Sequence, residues 1–409
     1  MLVIINISFF SDQLNKFIEK KYGTFFVPNN NLIFLKSGEE VLEKKIEIIR
    51  KAEKFIYIET FIFHDDHFGS KIAEELVKKS RDGIDIVLIY DVFGSFPKSL
   101  LDINFYDNLE NEGIKLIKYS NLIEDGLFEV REVWHRKTII VDNKYAFIGG
   151  SNLNAHMFKR EKDFLALFGG SLEANRDTTV FVEGPIVYEL YKDFVDYTQF
   201  TELKLEKKYM PNHDFFDTDI EIAVISYHPN IIEENLFENL IIDLINNAKN
   251  YILFEIGYFT PTLKIIKAFE NAVKREVNIT ILISYSDISN MPWREELSKF
   301  LYKELIDMGI KIYSHKKNPI HSKIGVFDDL YTILGTVNID GRSMILDVES
   351  TLLIKSKIIA KKSEGWILSG IEDSEMLDLS YLSEFGIIKY LYNGYVRFQN
   401  LVYKLLSLK

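Results

Sequence analysis

The chain contains no cysteine among its 409 residues. That excludes disulfide scaffolds, thiol nucleophiles and Cys-ligated zinc or iron–sulfur centres, and it fits a reducing compartment. Proline (8) and glycine (21) are scarce, so collagen-like and linker-rich classes also fall away. No apolar run reaches the roughly 20 residues that span a bilayer. The N-terminus, from Met1 to Phe10, has neither a basic leader region nor a small-residue cleavage site. The expected location is therefore the cytoplasm, or the cytoplasmic face of a membrane as a peripheral protein. A basic excess is missing too. Lys and Arg total 49 against 61 Asp and Glu, a net charge of −12. Such a chain is repelled by a phosphate backbone, so no nucleic-acid partner is expected.

What is present is a folded composition, 47% hydrophobic and 27% charged, with 31 Phe and 22 Tyr. The length suggests two or three domains. Three pairs of segments repeat in order. Ala52 to Glu59 matches Ala248 to Glu255, each a helix end running into a strand that closes on Glu. Gly113 to Ile117 matches Gly309 to Tyr313, each following a helical pattern whose glycine stops it. His135 to Asp142 matches His321 to Asp328. Strands alternate with helices in both copies, which predicts an α/β protein of two related halves, each a mixed β-sheet flanked by helices. The predicted boundaries are an N-terminal segment over 1–40, a first half over 41–200, a polar linker over 201–218, a second half over 219–375 and a tail over 376–409.

The third pair extends into a longer pattern, His-x-Lys-x4-Asp-x6-Gly-x2-Asn, carried by His135, Lys137, Asp142, Gly149 and Asn152 and again by His321, Lys323, Asp328, Gly335 and Asn338. One chance match anywhere in the chain has a probability on the order of 10⁻⁴, so two matches at one place in a repeat are not coincidence. On a strand, the His and Lys of each copy share a face, and the Asp points to the other. Asp142 and Asp328 are thus expected to brace the strand end. Each glycine opens a turn where a Cβ would clash, and each Asn can offer its amide to an anionic oxygen.

These motifs resemble those of the phospholipase D superfamily, whose members carry two His-Lys-Asp motifs in one pseudo-twofold chain. Over about residues 40–360 the sequence is most similar to the bacterial cardiolipin synthase group. Glu59 to Asp66, Asp91 to Ser95, Arg176-Asp177 with Glu183-Gly184-Pro185, and Asn338 to Ser343 followed by Glu349 carry that similarity. Departures are Asn175 where that group tends to have Trp, Thr336 where it usually has Ser, and the lack of its N-terminal membrane helices.

The resemblance implies His135, Lys137, Asp142, His321, Lys323 and Asp328 as the catalytic set, with Asn152 and Asn338 binding the substrate phosphate. Lysines and asparagines would neutralise the non-bridging oxygens. One neutral His attacks phosphorus and the other transfers protons. The first-half His is often the nucleophile in the family, which selects His135. A carboxylate on the far ring nitrogen would orient each His. Asp177 and Glu349 open matching apolar strands, so Asp177 is assigned to His135 and Glu349 to His321, with Asp163 the alternative for His135. The scheme calls for no metal and no cofactor. The implied activity is a phosphatidyltransferase passing the phosphatidyl group of one phosphatidylglycerol to a second, with a hydrolytic phospholipase D and a phosphodiesterase or nuclease as rivals.

Elsewhere, His64-Asp65-Asp66-His67 fits a substrate-facing loop, a solvated loop or a metal cluster. Glu59 and Glu255 fit either the rim of the site or a structural ion pair. From Ile387 onward the tail carries Lys389, Arg397, Lys404 and Lys409, no acidic side chain and several rings. That composition suits an anionic phospholipid surface, although helical spacing of Phe398, Leu401, Val402, Leu405 and Leu406 also suits packing on the body.

Overall fold

The computed structural model describes residues 13–120, 132–158, 173–230, 235–284 and 292–380. The basic aromatic stretch from 387 and Asp163 lie outside the described residues.

The first sheet contains β1 (Asn31–Leu35), β2 (Phe55–Thr60), β3 (Asp85–Asp91), β4 (Lys115–Tyr119), β5 (Thr138–Val141), β6 (Tyr145–Gly149) and β7 (Thr179–Glu183). The second contains β8 (Glu221–Tyr227), β9 (Tyr251–Ile256), β11 (Asn278–Ser284), β12 (Lys311–His315), β13 (Lys323–Phe327), β14 (Tyr331–Gly335), β16 (Glu349–Lys355) and β17 (Ser374–Met376). Interleaved with the second set in sequence, β10 (Phe259–Thr260) and β15 (Ile339–Asp340) form a small parallel pair.

The strand orders are β1-β7-β6-β5-β2-β3-β4 and β8-β16-β14-β13-β9-β11-β12-β17. Read side by side they are one order twice, with β17 added at the far edge. In both, three parallel strands follow the β-helix-β rhythm (β2, β3, β4 and β9, β11, β12), and the rest of the sheet is antiparallel. This is the two-halved mixed α/β architecture expected from the repeat. The N-terminal strand β1 is the counterpart of β8, so the first sheet draws on residues before position 41. Residues 202–219 run without helix or strand. Tyr209 within them stacks on Phe55 at 4.3 Å and bonds Asp85, which holds this connection against the first half.

Local chemistry places the helices. The helix Gly38–Arg50 starts at Ser37, whose hydroxyl accepts from Glu40 N–H, and buries Val41, Leu42, Lys45, Ile48 and Ile49 at helical spacing. Gly113 and Gly309 end the preceding helices with φ of +87° and +99°, a conformation glycine adopts without steric cost. One apolar layer joins Tyr57, Val87, Ile140 and Val180 of the first sheet to Leu253, Ile324, Val326 and Leu352 of the second, with Ile186, Leu190 and Phe194 and Ile359 and Ile367 from two intervening helices. Each sheet therefore faces the other through a shared core and carries its own helices outside.

The motif aspartates occupy the tight turns after β5 and β13, with φ of +57° at Asp142 and +53° at Asp328. Asp142 accepts from the backbone N–H groups of Glu53, Lys54 and Phe55 at 2.7–2.9 Å. Asp328 does the same for Lys249, Asn250 and Tyr251 at 2.7–3.1 Å. These carboxylates tie each motif hairpin to the start of the neighbouring strand, far along β5 and β13 from the histidines. They brace the strands, as the strand alternation predicts, and their place in the catalytic set rests on the resemblance alone.

Asp142→Ala and Asp328→Ala should each cost about 2–4 kcal/mol, from three lost charge-assisted bonds and an alanine forced into the left-handed region. Urea denaturation measures this. An unchanged midpoint with abolished turnover would make the aspartates chemical participants instead.

Candidate functional site

Both motif histidines lie just before their strands, where the two sheets meet. The segment ahead of each pairs with the other half. Trp134 forms a parallel bridge with Val348, and Arg176 forms one with Ile320. His135 N–H donates to Val348 O at 2.9 Å, and His321 N–H donates to Arg176 O at 2.8 Å. Val348 and Arg176 are the residues immediately before Glu349 and Asp177.

The bridges therefore deliver each carboxylate to the opposite histidine. His135 Nδ1 lies 2.8 Å from Glu349 Oε1, and His321 Nδ1 lies 2.7 Å from Asp177 Oδ2. This corrects the assignment of Asp177 to His135 and Glu349 to His321. The two carboxylates do hold matching positions ahead of their strands, but the strand ends cross between halves. With both Nδ1 atoms occupied, Nε2 is the ring nitrogen left for a substrate in each case.

The carboxylates have unequal surroundings. Glu349 is fully buried, and the hydroxyls of Ser343 and Thr336 donate to its two oxygens. At the positions matching Thr336 and Ser343 the first half has Gly150 and Met157. A Cβ on Gly150 would fall 2.0 Å from Asp177 Oδ1, so that glycine makes room for the carboxylate. Asp177 Oδ1 accepts from Thr178 N–H at 2.7 Å.

Burial dominates the electrostatics. It pushes the Glu349 carboxyl well above the usual range, against the pull of Lys137 and the two hydroxyls. Burial, then Lys137 and Lys323, hold His135 well below the ordinary imidazole value. His321 is lowered by burial and Lys323, with Asp177 acting the other way. Burial also brings Lys137 down to about 7 and Lys323 to about 8. In each copy the lysine Nζ donates to the carbonyl of its own motif histidine at 2.5 Å. Four basic groups from two halves thus crowd one buried space, each disfavouring the others' charge, a favourable place for an anion.

The asparagines sit beside this cluster in different states. Asn152 Oδ1 accepts from Ile62 N–H at 3.1 Å, fixing the backbone after β2. Asn338 Oδ1 is buried without a donor among the described residues, and its backbone N–H donates to Ser343 Oγ at 2.9 Å. Phe61 meets His135 edge-on at 4.9 Å.

Glu59 and Glu255 resolve as structural partners. Glu59 binds the buried Arg136 at 3.0 Å and Trp134 Nε1 at 3.2 Å. Glu255 binds Arg176 from the first half at 3.1 Å, Ser322 at 2.6 Å and Trp366 Nε1 at 3.0 Å. Arg136 and Ser322 are the residues between His and Lys in the two motifs, so they anchor the strand from its other face. The His64-to-His67 run starts a helix: Asp66 caps His67–Arg81 by accepting from Phe68 and Gly69 N–H, and Asp65 accepts from Ser70. Arg136, Arg176, Thr336 and Ser343 were not singled out as partners in the sequence. The aligned difference Gly149-Gly150 against Gly335-Thr336 was the available signal for Thr336.

Glu349→Gln should displace the ring ¹⁵N resonances of His135 and leave those of His321 in place, and Asp177→Asn should do the reverse. Histidine-labelled protein reads this directly. Movement of the same-half histidine in both variants would contradict the crossed arrangement.

Comparison with known proteins agrees with this geometry. The family model described as "Cardiolipin synthase, PLD-like domain" matches residues 46–196 and 241–369, more than half of the chain. A cardiolipin synthase of Clostridium perfringens is 28% identical over 388 residues, covering 91% of this chain and 77% of that protein. The probable cardiolipin synthase YwiE of Bacillus subtilis is 26% identical over 361 residues, covering 85% and 67%. Among solved structures, phosphatidylserine synthase of Haemophilus influenzae superposes with a TM-score of 0.67 at 16% identity, over 96% of this chain and 99% of that one, a likeness of fold. With two copies of the His-Lys-Asp hairpin facing each other across one buried site, the chain belongs to the phospholipase D-like family of cardiolipin synthases.

Proposed function

We propose that the protein is a phosphatidyltransferase that makes cardiolipin from two phosphatidylglycerol molecules through a phosphohistidine. The observation that carries this reading is the pair of histidines, His135 buried and His321 partly exposed, each with Nδ1 held by a carboxylate from the opposite half and Nε2 left to react. His135 is the nucleophile. Burial and two lysines keep it neutral more firmly than His321, whose Asp177 partner favours the protonated ring.

In the first step His135 Nε2 attacks phosphorus. A P–N bond forms, the P–O bond to glycerol breaks, and His321 gives its Nε2 proton to the departing alkoxide. In the second step His321 takes the proton from a hydroxyl of the second phosphatidylglycerol. That oxygen attacks phosphorus and the P–N bond breaks. Lys137 and Lys323 hold the non-bridging oxygens, and an arriving phosphate anion restores their charge. The Asn152 amide group, its carbonyl end already engaged, supplies a further donor, and Asn338 lines the same space.

The substrate reaches this site from a bilayer. Among the described residues no helix is long and apolar enough to cross a membrane. Instead, the segment after β3 exposes Phe93, Phe96, Leu101 and Ile103. Its Gly94 packs directly on Phe61, whose ring touches His135. An apolar rim beside the catalytic histidine suits contact with lipid.

Purified protein incubated with phosphatidylglycerol vesicles should yield cardiolipin and glycerol. Phosphatidic acid as the sole product would make it a hydrolase, and cleavage of DNA with no lipid turnover would overturn the lipid reading. Leu101→Asp should slow turnover on vesicles about tenfold, from one withdrawn apolar side chain, while sparing a short-chain soluble substrate.

A further inference from the structure

The repeat places a small cavity beside each motif lysine, under the helix that opens each half. The two cavities are lined by matching positions. Beside Lys323 the lining is apolar, with Phe237, Ile241, Ile256, Ile324, Val337 and Ile339. Beside Lys137 the same positions are polar: Ile241, Ile256, Ile324 and Val337 are replaced by Lys45, Thr60, Thr138 and Ser151.

Lys45 is the sharpest of these differences. It projects inward from the helix Gly38–Arg50 and is 3% exposed. Its Nζ stands 5.3 Å from the Phe68 ring, and among the described residues it makes no hydrogen bond or ion pair. A buried ammonium without a partner is unfavourable by several kcal/mol. The second half avoids that cost with isoleucine at the equivalent place. Gly149, Ser151 and Thr179, which flank the contact between Gly150 and Asp177, line the same cavity as Lys45, and Asp177, the partner of His321, favours the charged ammonium there.

Asp177 also lacks what Glu349 has. Two hydroxyls hold Glu349 in place, while Gly150 and Met157 stand at the matching positions around Asp177. A cation in the adjoining cavity supplies in the first half what hydroxyls supply in the second. We propose that Lys45 is a positioning residue that acts, through the Asp177 side of the cavity, on His321, so that the His321 proton is readily given up to the leaving alcohol. The proposal rests on the roles assigned above to His135 and His321, and it explains how two identical motifs in one chain come to play unequal parts.

The sign follows from the charges. A nearby cation lowers the proton affinity of His321. Asp177 and His321 also face Lys137, Lys323, His135 and, across the site, Glu349, and Glu59 shares the Lys45 cavity. None of these changes in a Lys45 variant. Burial brings Lys45 itself down to about 7. Its influence is therefore present below that pH and fades above it.

The test is the pH titration of ¹⁵N-labelled histidines in Lys45→Met, with Lys45→Gln as a second variant. The His321 midpoint should rise by about one pH unit relative to the parent, with the His135 resonances unmoved. In parallel, kcat on phosphatidylglycerol should fall about tenfold below pH 7 with little change in KM, and approach the parent above pH 8. No movement of His321, or equal movement of both histidines, overturns the proposal. So does failure of both variants to fold, which makes Lys45 a structural residue. The titration needs no substrate. It therefore reads the pair even if the enzyme proves to act on a different phosphodiester.

Discussion

Two short parallel bridges, Trp134 to Val348 and Arg176 to Ile320, govern the site. Each carries the strand ahead of a motif histidine across to the other half, beside the strand that begins with a carboxylate. The result is that His135 is oriented by Glu349 and His321 by Asp177. Neither half holds a complete histidine–carboxylate pair of its own. The shared apolar layer between the sheets, with Tyr57 and Val87 on one side and Leu253 and Ile324 on the other, keeps this exchange in register. The Arg176–Glu255 pair reinforces it, because an arginine of the first half closes on the β9 carboxylate of the second.

Symmetry of this kind creates a chemical problem. A double displacement at phosphorus needs one neutral nucleophile and one proton carrier, yet the chain supplies the same motif twice. The difference has to come from what surrounds the motifs. Glu349 is enclosed by Thr336 and Ser343, and Asp177 is set against Gly150 with Lys45 in the adjoining cavity. Burial lowers both histidines, but His135 further, since Asp177 works against the shift at His321. In the proposed scheme the motif fixes which atoms meet the phosphate, and the residues around the motif decide which histidine does what.

Much of this was legible in the residues. The alternation of His and Lys against Asp along one strand placed the aspartates on the bracing side, and Asp142 and Asp328 each collect three backbone N–H groups there. Glycines 113 and 309 marked the helix ends, and the paired segments foretold two sheets of like order. The crossed carboxylates were not legible, because matching sequence positions say nothing about which strand end approaches which in space. Asp66 read as a loop or metal residue because a helix cap and a ligand cluster draw on the same side chains. In the sequence Lys45 is one of several lysines around its helix, and its burial depends on what packs over that turn. Alignment of the repeat against itself, Lys45 beside Ile241, is the signal that exposes it.

The central claim is that the two unequal histidines share one reaction, with His135 carrying the phosphatidyl group. The most direct measurement is rapid quenching of the enzyme during turnover of phosphatidylglycerol labelled in its phosphate, followed by peptide mapping under alkaline conditions that preserve phosphohistidine. The account predicts label on the peptide containing His135 and none on the peptide containing His321. Label on His321 would reverse the two roles, and complete conversion with no protein-bound label at any quench time would contradict the covalent scheme itself.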